Sequence, residues 1–134
     1  MTVFNESFTF STGGEIDFVD LTSMVEEVVR KSGIKNGTVH VFTPHATGVI
    51  ALIEFESSLL NDIKHLLEKM IPRHEAYHHP SNAHSHLRSI LLSSDKTLPI
   101  IDGQIVLGTW RSLVFIETDA HPRQRNVIIQ VIGE

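Results

Sequence analysis

Thr38-Val-His-Val-Phe42, Thr43-Pro-His-Ala-Thr47 and Gly48-Val-Ile-Ala-Leu-Ile-Glu-Phe55 follow one another without a break, and their reading decides the fold. The outer two runs are apolar and β-branched, the pattern of well-buried strands, and the middle five residues join them. Upstream, residues 3–10 alternate as a strand, Gly13-Gly14 makes a turn, and Ile16 to Val19 reads as a short second strand. Asp20 is placed to cap a helix from Leu21 to about Ser32, with Gly33 as its stop. Leu21, Met24, Val25, Val28 and Val29 form one apolar stripe along that helix.

Downstream, Ser57 or Ser58 caps a second helix that Pro72 ends. Leu59, Ile63, Leu66, Leu67 and Met70 lie on one of its faces. A polar loop over 72–82 leads to a third helix, about Ala83 to Leu92. The rest is β: Thr97–Ile101, Gln104–Leu107, Ser112–Thr118 and Asn126–Ile132, with Asp102-Gly103 as a hairpin turn. Strands at both ends with helices inserted predict an α+β fold.

The chain has 134 residues, 41% of them hydrophobic and 20% charged, which fits a single domain over 1–134 with one stable core. A net charge of −5 without a basic run argues against nucleic acid as the main partner. A small anion is still within reach, because two well-placed arginines suffice. There is no cysteine, so thiolate chemistry is excluded. No apolar stretch is long enough for a membrane span, and the acid at Glu6 is unlike a signal peptide; a cytoplasmic protein is expected.

Histidine is the outlier. There are nine, and six of them (His65, His74, His78, His79, His84 and His86) lie between positions 65 and 86. Metal binding needs neutral imidazoles that converge from a rigid frame. His65 reads as a solvated helix residue, His40 as a sheet-face residue with one hydrogen bond, and His74 and His121 as loop residues. His45 differs, because it sits between two buried strands where a scaffold presents a side chain at a sheet end. His79 precedes the third helix and His86 lies one turn inside it. His84 and His86 are two apart, so they cannot both face one point. No HExxH or Cys/His finger is present, so spacing makes these histidines candidates and nothing more.

Several short segments then fall into a recognisable order: Pro44-His45-Ala46-Thr47-Gly48 through Glu54, Tyr77-His78-His79, Asn82-Ala83-His84-Ser85-His86-Leu87, Thr97-Leu98-Pro99, Gly108-Thr109-Trp110 and Pro122-Arg123-Gln124-Arg125. Their sequence and spacing resemble the YjbQ-like family, also called the secondary thiamine-phosphate synthase family, over nearly the whole chain. The resemblance implies a two-sheet, β-sandwich-like α+β core with about three helices, assembling as a homotrimer. It also implies a metal-associated site and a thiamine-phosphate synthase activity that is secondary in at least some members. Carried over residue by residue, His45, His79 and His86 are the expected metal ligands. Glu54, Asn82, Arg123 and Arg125 are the expected catalytic residues, and Ser94, Thr109 and Trp110 the substrate-binding ones. Ile53, Ser93, Asp95, Arg111 and an extra residue or two near Ala120-His121 depart from the family pattern, which bears on substrate specificity.

On this reading three imidazoles hold one divalent ion and leave positions open for a ligand. Glu54 is an outer acceptor or proton carrier, Arg123 and Arg125 fork onto a phosphate, and Trp110 stacks on a heteroaromatic ring. Solvated arginines and a plain core tryptophan are the bland counterparts. Joining an aminopyrimidine diphosphate to a thiazole phosphate normally draws on magnesium held by oxygen, whereas imidazoles favour zinc or a similar transition metal. That mismatch keeps two other functions open: a metal-dependent hydrolase of a small phosphorylated or heterocyclic substrate, and a non-catalytic trimer that binds such a ligand.

Overall fold

Alternation along β3 (Gly37–Phe42) turns Val39 and Val41 wholly inward and leaves Thr38, His40 and Phe42 on the other side. The same rule organises the rest of the structure, a computed structural model describing residues 1–134. β3 lies at the centre of a five-stranded antiparallel sheet. Its neighbours are β8 (Arg123–Gly133) and then β1 (Thr2–Thr12) on one side, and β5 (Asp95–Ile101) and then β6 (Gln104–Ile105) on the other. A second, three-stranded antiparallel sheet has the order β2 (Asp17–Asp20), β7 (Ser112–Glu117), β4 (Gly48–Ile53).

The two sheets and helix α1 (Thr22–Ser32) enclose one core of 15 residues. It contains the α1 stripe Leu21, Val25, Val28 and Val29, with Phe115 from the small sheet and Val127, Ile129 and Val131 from the large one. Full burial of one such side chain stabilises the fold by about 1.5–3 kcal/mol. Gly48 lacks the Cβ that would strike the Phe115 ring, so β4 and β7 can lie close together there. β7 is buried on both faces: Leu113 and Phe115 face the main core, while Val114 and Ile116 face a smaller cluster with Ile16, Val49 and Leu67. Helices α2 (Ser57–Met70) and α3 (Ala83–Leu92) lie on this second side. No helix is long and apolar enough to cross a membrane.

The expected α+β architecture with two sheets and three helices is therefore present, with local corrections. Leu21, not Asp20, is the N-cap of α1; Asp20 stands one residue earlier and accepts hydrogen bonds from the Thr22 N–H and hydroxyl. Gly33 ends α1 as expected, at φ 71°. α2 is capped by the Glu56 carboxylate, which accepts from the Leu59 N–H at 3.0 Å, so neither serine caps it.

The larger surprise is polarity. Of the five α2 residues expected on one apolar face only Leu67 is buried, and Leu66 and Met70 are 52% and 55% exposed. In α3 the faces are reversed: His84, Ser85, Arg88 and Ser89 point inward, while Leu87, Ile90 and Leu91 point out, Ile90 at 80% exposure. Periodicity alone would have turned α3 the other way.

Candidate functional site

Helix α3 begins immediately after a loop that carries His74, His78 and His79, and that junction brings His79 and His86 together. Their ring centres are 4.9 Å apart at 70°. Asn82, the N-cap of α3, holds the arrangement: its Oδ1 lies 3.1 Å from His79 Nε2, and its Nδ2 donates to Asp119 Oδ1 at 3.5 Å. With the amide nitrogen turned to a carboxylate, the amide oxygen faces the ring, so His79 Nε2 is the donor and its Nδ1 keeps a free lone pair. Tyr77 pins the loop by donating to the Pro72 carbonyl at 2.6 Å. A cavity of about 490 Å³ opens beside the two rings, walled by Tyr77, Ala83 and Leu87.

On the other side of Asn82 lies a cleft of about 610 Å³, lined by Arg73, His74, Asp119, His121 and Arg123. Arg123 pairs with Asp119 at 3.0 Å, and at 45% exposure its guanidinium still faces solvent. Burial pushes the Asp119 carboxyl up, but the Ala120 N–H, the Arg123 charge, Asn82 and Thr47 outweigh it and leave it below the usual carboxylate range. Two arginines and two histidines around one committed acid suit an anionic ligand.

Arg125 has a different fate. Its side chain is 4% exposed, with Nε donating to Glu117 Oε1 at 2.7 Å and Nη2 to Thr47 Oγ1 at 2.8 Å and to the other Glu117 oxygen. Glu117 is fully buried and also accepts from Thr12 and from the Asp119 N–H. The expected fork of Arg123 and Arg125 onto one phosphate is therefore corrected. Arg125 spends its donors inside the fold, and Arg123 alone remains at the surface.

His45 is also committed. Its Nε2 accepts the Asn126 backbone N–H at 3.0 Å, which places the proton of the neutral ring on Nδ1. Burial above all, then the Arg125 charge, push its pKa down against a smaller upward pull from Glu117, so the neutral form is favoured. A ring with one nitrogen accepting and the other protonated has no lone pair for a metal. No three histidine, aspartate or glutamate side chains of the chain come together as a metal-holding group. The structure brings His79 and His86 together and leaves His45 out of the expected triad.

The remaining expected residues lie elsewhere. Gly48 pairs with Glu117 at one end of the β4–β7 ladder, and Ile53 pairs with Ser112 at the other. Glu54, Thr109 and Trp110 flank the Ile53–Ser112 end, all exposed, with Trp110 at 74%. His45, Thr47 and Asp119 flank the Gly48–Glu117 end, to which Asn82 ties the histidine pair. Five steps of strand separate the ends, about 17 Å. Ser94 is half-buried between them, its carbonyl accepting the Thr43 N–H at 3.0 Å.

A buried charge cluster anchors the inner face of α3, and sequence reasoning passed over its Arg88, Glu15 and Arg73. Arg88 is completely buried, donates to the Ile71 carbonyl at 2.9 and 3.1 Å, and pairs with Glu15. His84, equally buried, meets the same carboxylate at 3.2 Å, while its Nδ1 has no partner. Arg73 approaches Glu15 from the surface at 3.6 Å. Glu117 and Asp119 were overlooked too, although two acids closing the apolar run Leu113–Ile116 were a visible signal.

Comparison with known proteins adds a lineage to this geometry. Residues 6–134 match the family described as UPF0047 protein YjbQ-like. A UPF0047 protein of Methanothermobacter thermautotrophicus is 41% identical, over 100% of this chain and 95% of the relative. One from Archaeoglobus fulgidus is 36% identical, over 92% and 98%. Among solved structures, a YbjQ-like protein of unknown function from Sulfolobus solfataricus superposes with a TM-score of 0.96 at 32% identity, covering 99% of each chain. A hypothetical protein from Aeropyrum pernix gives 0.93 at 32% identity, covering 97% of this chain and 98% of its own.

Proposed function

The chain belongs to the YjbQ-like UPF0047 family, and on that premise we propose that it is a metal-associated enzyme acting on a small phosphorylated substrate, with thiamine-phosphate synthesis as a secondary reaction. One observation carries the reading. Asn82 touches both the His79–His86 pair and the Asp119–Arg123 pair, so a metal-donor set and an anion cleft share one hinge residue. A ligand imidazole needs an outer acceptor to fix its ring, and the Asn82 oxygen is that acceptor for His79.

In this proposal His79 and His86 hold a divalent ion, zinc or a similar transition metal given the imidazole donors. The ion would supply positive charge against a phosphorylated substrate. Arg123 and Arg73 neutralise phosphate oxygens across the cleft, and Asn82 keeps His79 turned toward the ion. In the synthase reaction a ring nitrogen of the thiazole phosphate attacks the methylene carbon of the aminopyrimidine diphosphate, forming a C–N bond as the C–O bond breaks and diphosphate departs with the electron pair. The chain's part is to orient the two substrates and screen the diphosphate charge. A homotrimer belongs to the proposal, supported by the apolar residues that α2 and α3 leave facing outward.

A second reading is favoured by the donor chemistry. Imidazoles suit zinc better than the magnesium that diphosphate departure usually employs, so hydrolysis of a phosphorylated or heterocyclic substrate fits the same residues. Elemental analysis of untagged protein, with product analysis before and after chelation, tests both. Bound metal and chelator-sensitive C–N joining support the synthase; chelator-sensitive release of phosphate or an alcohol supports the hydrolase. Ligand binding without turnover, in protein that retains no metal, overturns the enzyme reading and leaves a ligand-binding protein.

A further inference from the structure

Two half-furnished surfaces lie at opposite ends of the β4–β7 ladder. One carries His79 and His86 and no third histidine, aspartate or glutamate to join them. The other carries an exposed carboxylate, Glu54, beside Phe55 and Trp110, which are 42% and 74% exposed. An indole exposed to that degree on a folded chain is unusual, and large aromatic side chains are enriched where proteins meet. The strand register keeps Glu54 about 17 Å from the histidine end of its own chain, so it cannot serve there.

We infer that the two ends meet between copies: the Glu54–Trp110 end of one chain docks on the histidine end of the next, and Glu54 supplies the third donor to that chain's His79 and His86. Two imidazoles and one carboxylate form a known open zinc set, which leaves a coordination position for substrate. Charge favours the match. The histidine end presents Arg73 and Arg123 with His74, His78 and His121, beside the exposed acids Glu68 and Glu75, and the approaching end presents Glu54 and Glu56 beside Arg111, so the acids of each end have bases to meet on the other. Apolar surface continues the contact, because Leu87 lines the histidine cavity and is followed outward by Ile90 and Leu91. A contact between two different ends of the same chain is head-to-tail, and it closes into a ring when the rotation allows.

The inference rests on His79 and His86 being metal donors, and two measurements separate its failure from failure of that reading. Trp110 is the only tryptophan, so acrylamide quenching of its emission reports this junction without reference to metal. In the assembled protein the quenching constant should fall several-fold below that of free tryptophan; a constant equal to the free value overturns the junction. For the donor assignment, Glu54→Gln and His86→Ala proteins are each analysed for zinc, then co-expressed and analysed again. Each alone should hold at least tenfold less zinc than wild type. The mixture should regain a measurable fraction, because some junctions then pair an intact Glu54 with an intact His79–His86. A mixture no better than its components, or full zinc in Glu54→Gln, overturns Glu54 as the shared donor. Wild-type protein that takes up no zinc overturns the metal reading itself, and quenching still decides whether the ends meet.

Discussion

Arg125 and Glu117 form an ion pair with 4% and 0% side-chain exposure, tied on one side to Thr47 and on the other to Thr12. Each charge is tolerated only because the other is present. Arg125→Met leaves a carboxylate in a nearly dry interior and should lower the unfolding free energy by about 3–5 kcal/mol, measured by urea denaturation. Pairing it with Glu117→Gln should restore part of that loss. Arg123→Ala, which removes a half-exposed partner of Asp119, should cost at most about 1 kcal/mol and weaken phosphate binding instead. If the two arginine variants lose equal stability, the buried pair is misassigned.

The depressed His45 pKa sets a pH window for stability. The unfolded ring takes up a proton near its ordinary value of 6.5, while the folded ring resists until lower pH. Stability is therefore complete above 6.5 and falls as pH drops below it, until the folded ring protonates as well. The limiting slope is about 1.4 kcal/mol per pH unit for one proton. Asp119 adds a separate loss at more acid pH, below its ordinary 3.8, because its folded pKa is also depressed. His45→Gln should flatten the fall in stability that begins as pH drops through 6.5; an unchanged profile would show that His45 does not titrate as a buried neutral ring.

What the sequence made legible was the part written in periodicity and turn chemistry. The α1 stripe, Gly33 as its stop, and Asp102-Gly103, at φ 52° and 81°, all fell where local rules put them. The buried charges were not legible. Arg88 meets Glu15 across 73 positions, and nothing local distinguishes it from a solvated helix arginine. The inverted α3 was not legible for the same reason, since its interior is polar and its apolar residues face away from the chain's own core. Within the site, His79 and His86 are neighbours in sequence and in space. His45 failed as a ligand through a backbone contact with Asn126 that no spacing encodes.

Ile90 and Leu91 test whether that outward face is an assembly surface. Both point away from the core at 80% and 57% exposure, so replacing them with glutamate should change the isolated chain's stability by no more than about 0.5 kcal/mol. Sedimentation velocity should nevertheless show the double variant at the size of one 15.0 kDa chain, with wild type larger. Identical sedimentation of the two proteins would exclude this face from any self-association.

Asn82 offers the sharpest separation between a structural and a functional role. It is the N-cap of α3, yet its side chain makes no capping hydrogen bond; it is spent on His79 and Asp119. Asn82→Ala should therefore lose less than the roughly 1 kcal/mol of a true cap residue. It should weaken metal binding about 10–100-fold, because the His79 ring is no longer held by an outer acceptor. Asn82→Asp keeps an oxygen toward His79 but sets a second carboxylate against Asp119, so like-charge repulsion should raise one of their pKa values and make metal affinity steeper with pH. Competition against a chromophoric chelator across pH reads both effects. Unchanged affinity in Asn82→Ala would detach Asn82 from the histidine pair and remove the hinge between the two halves of the site.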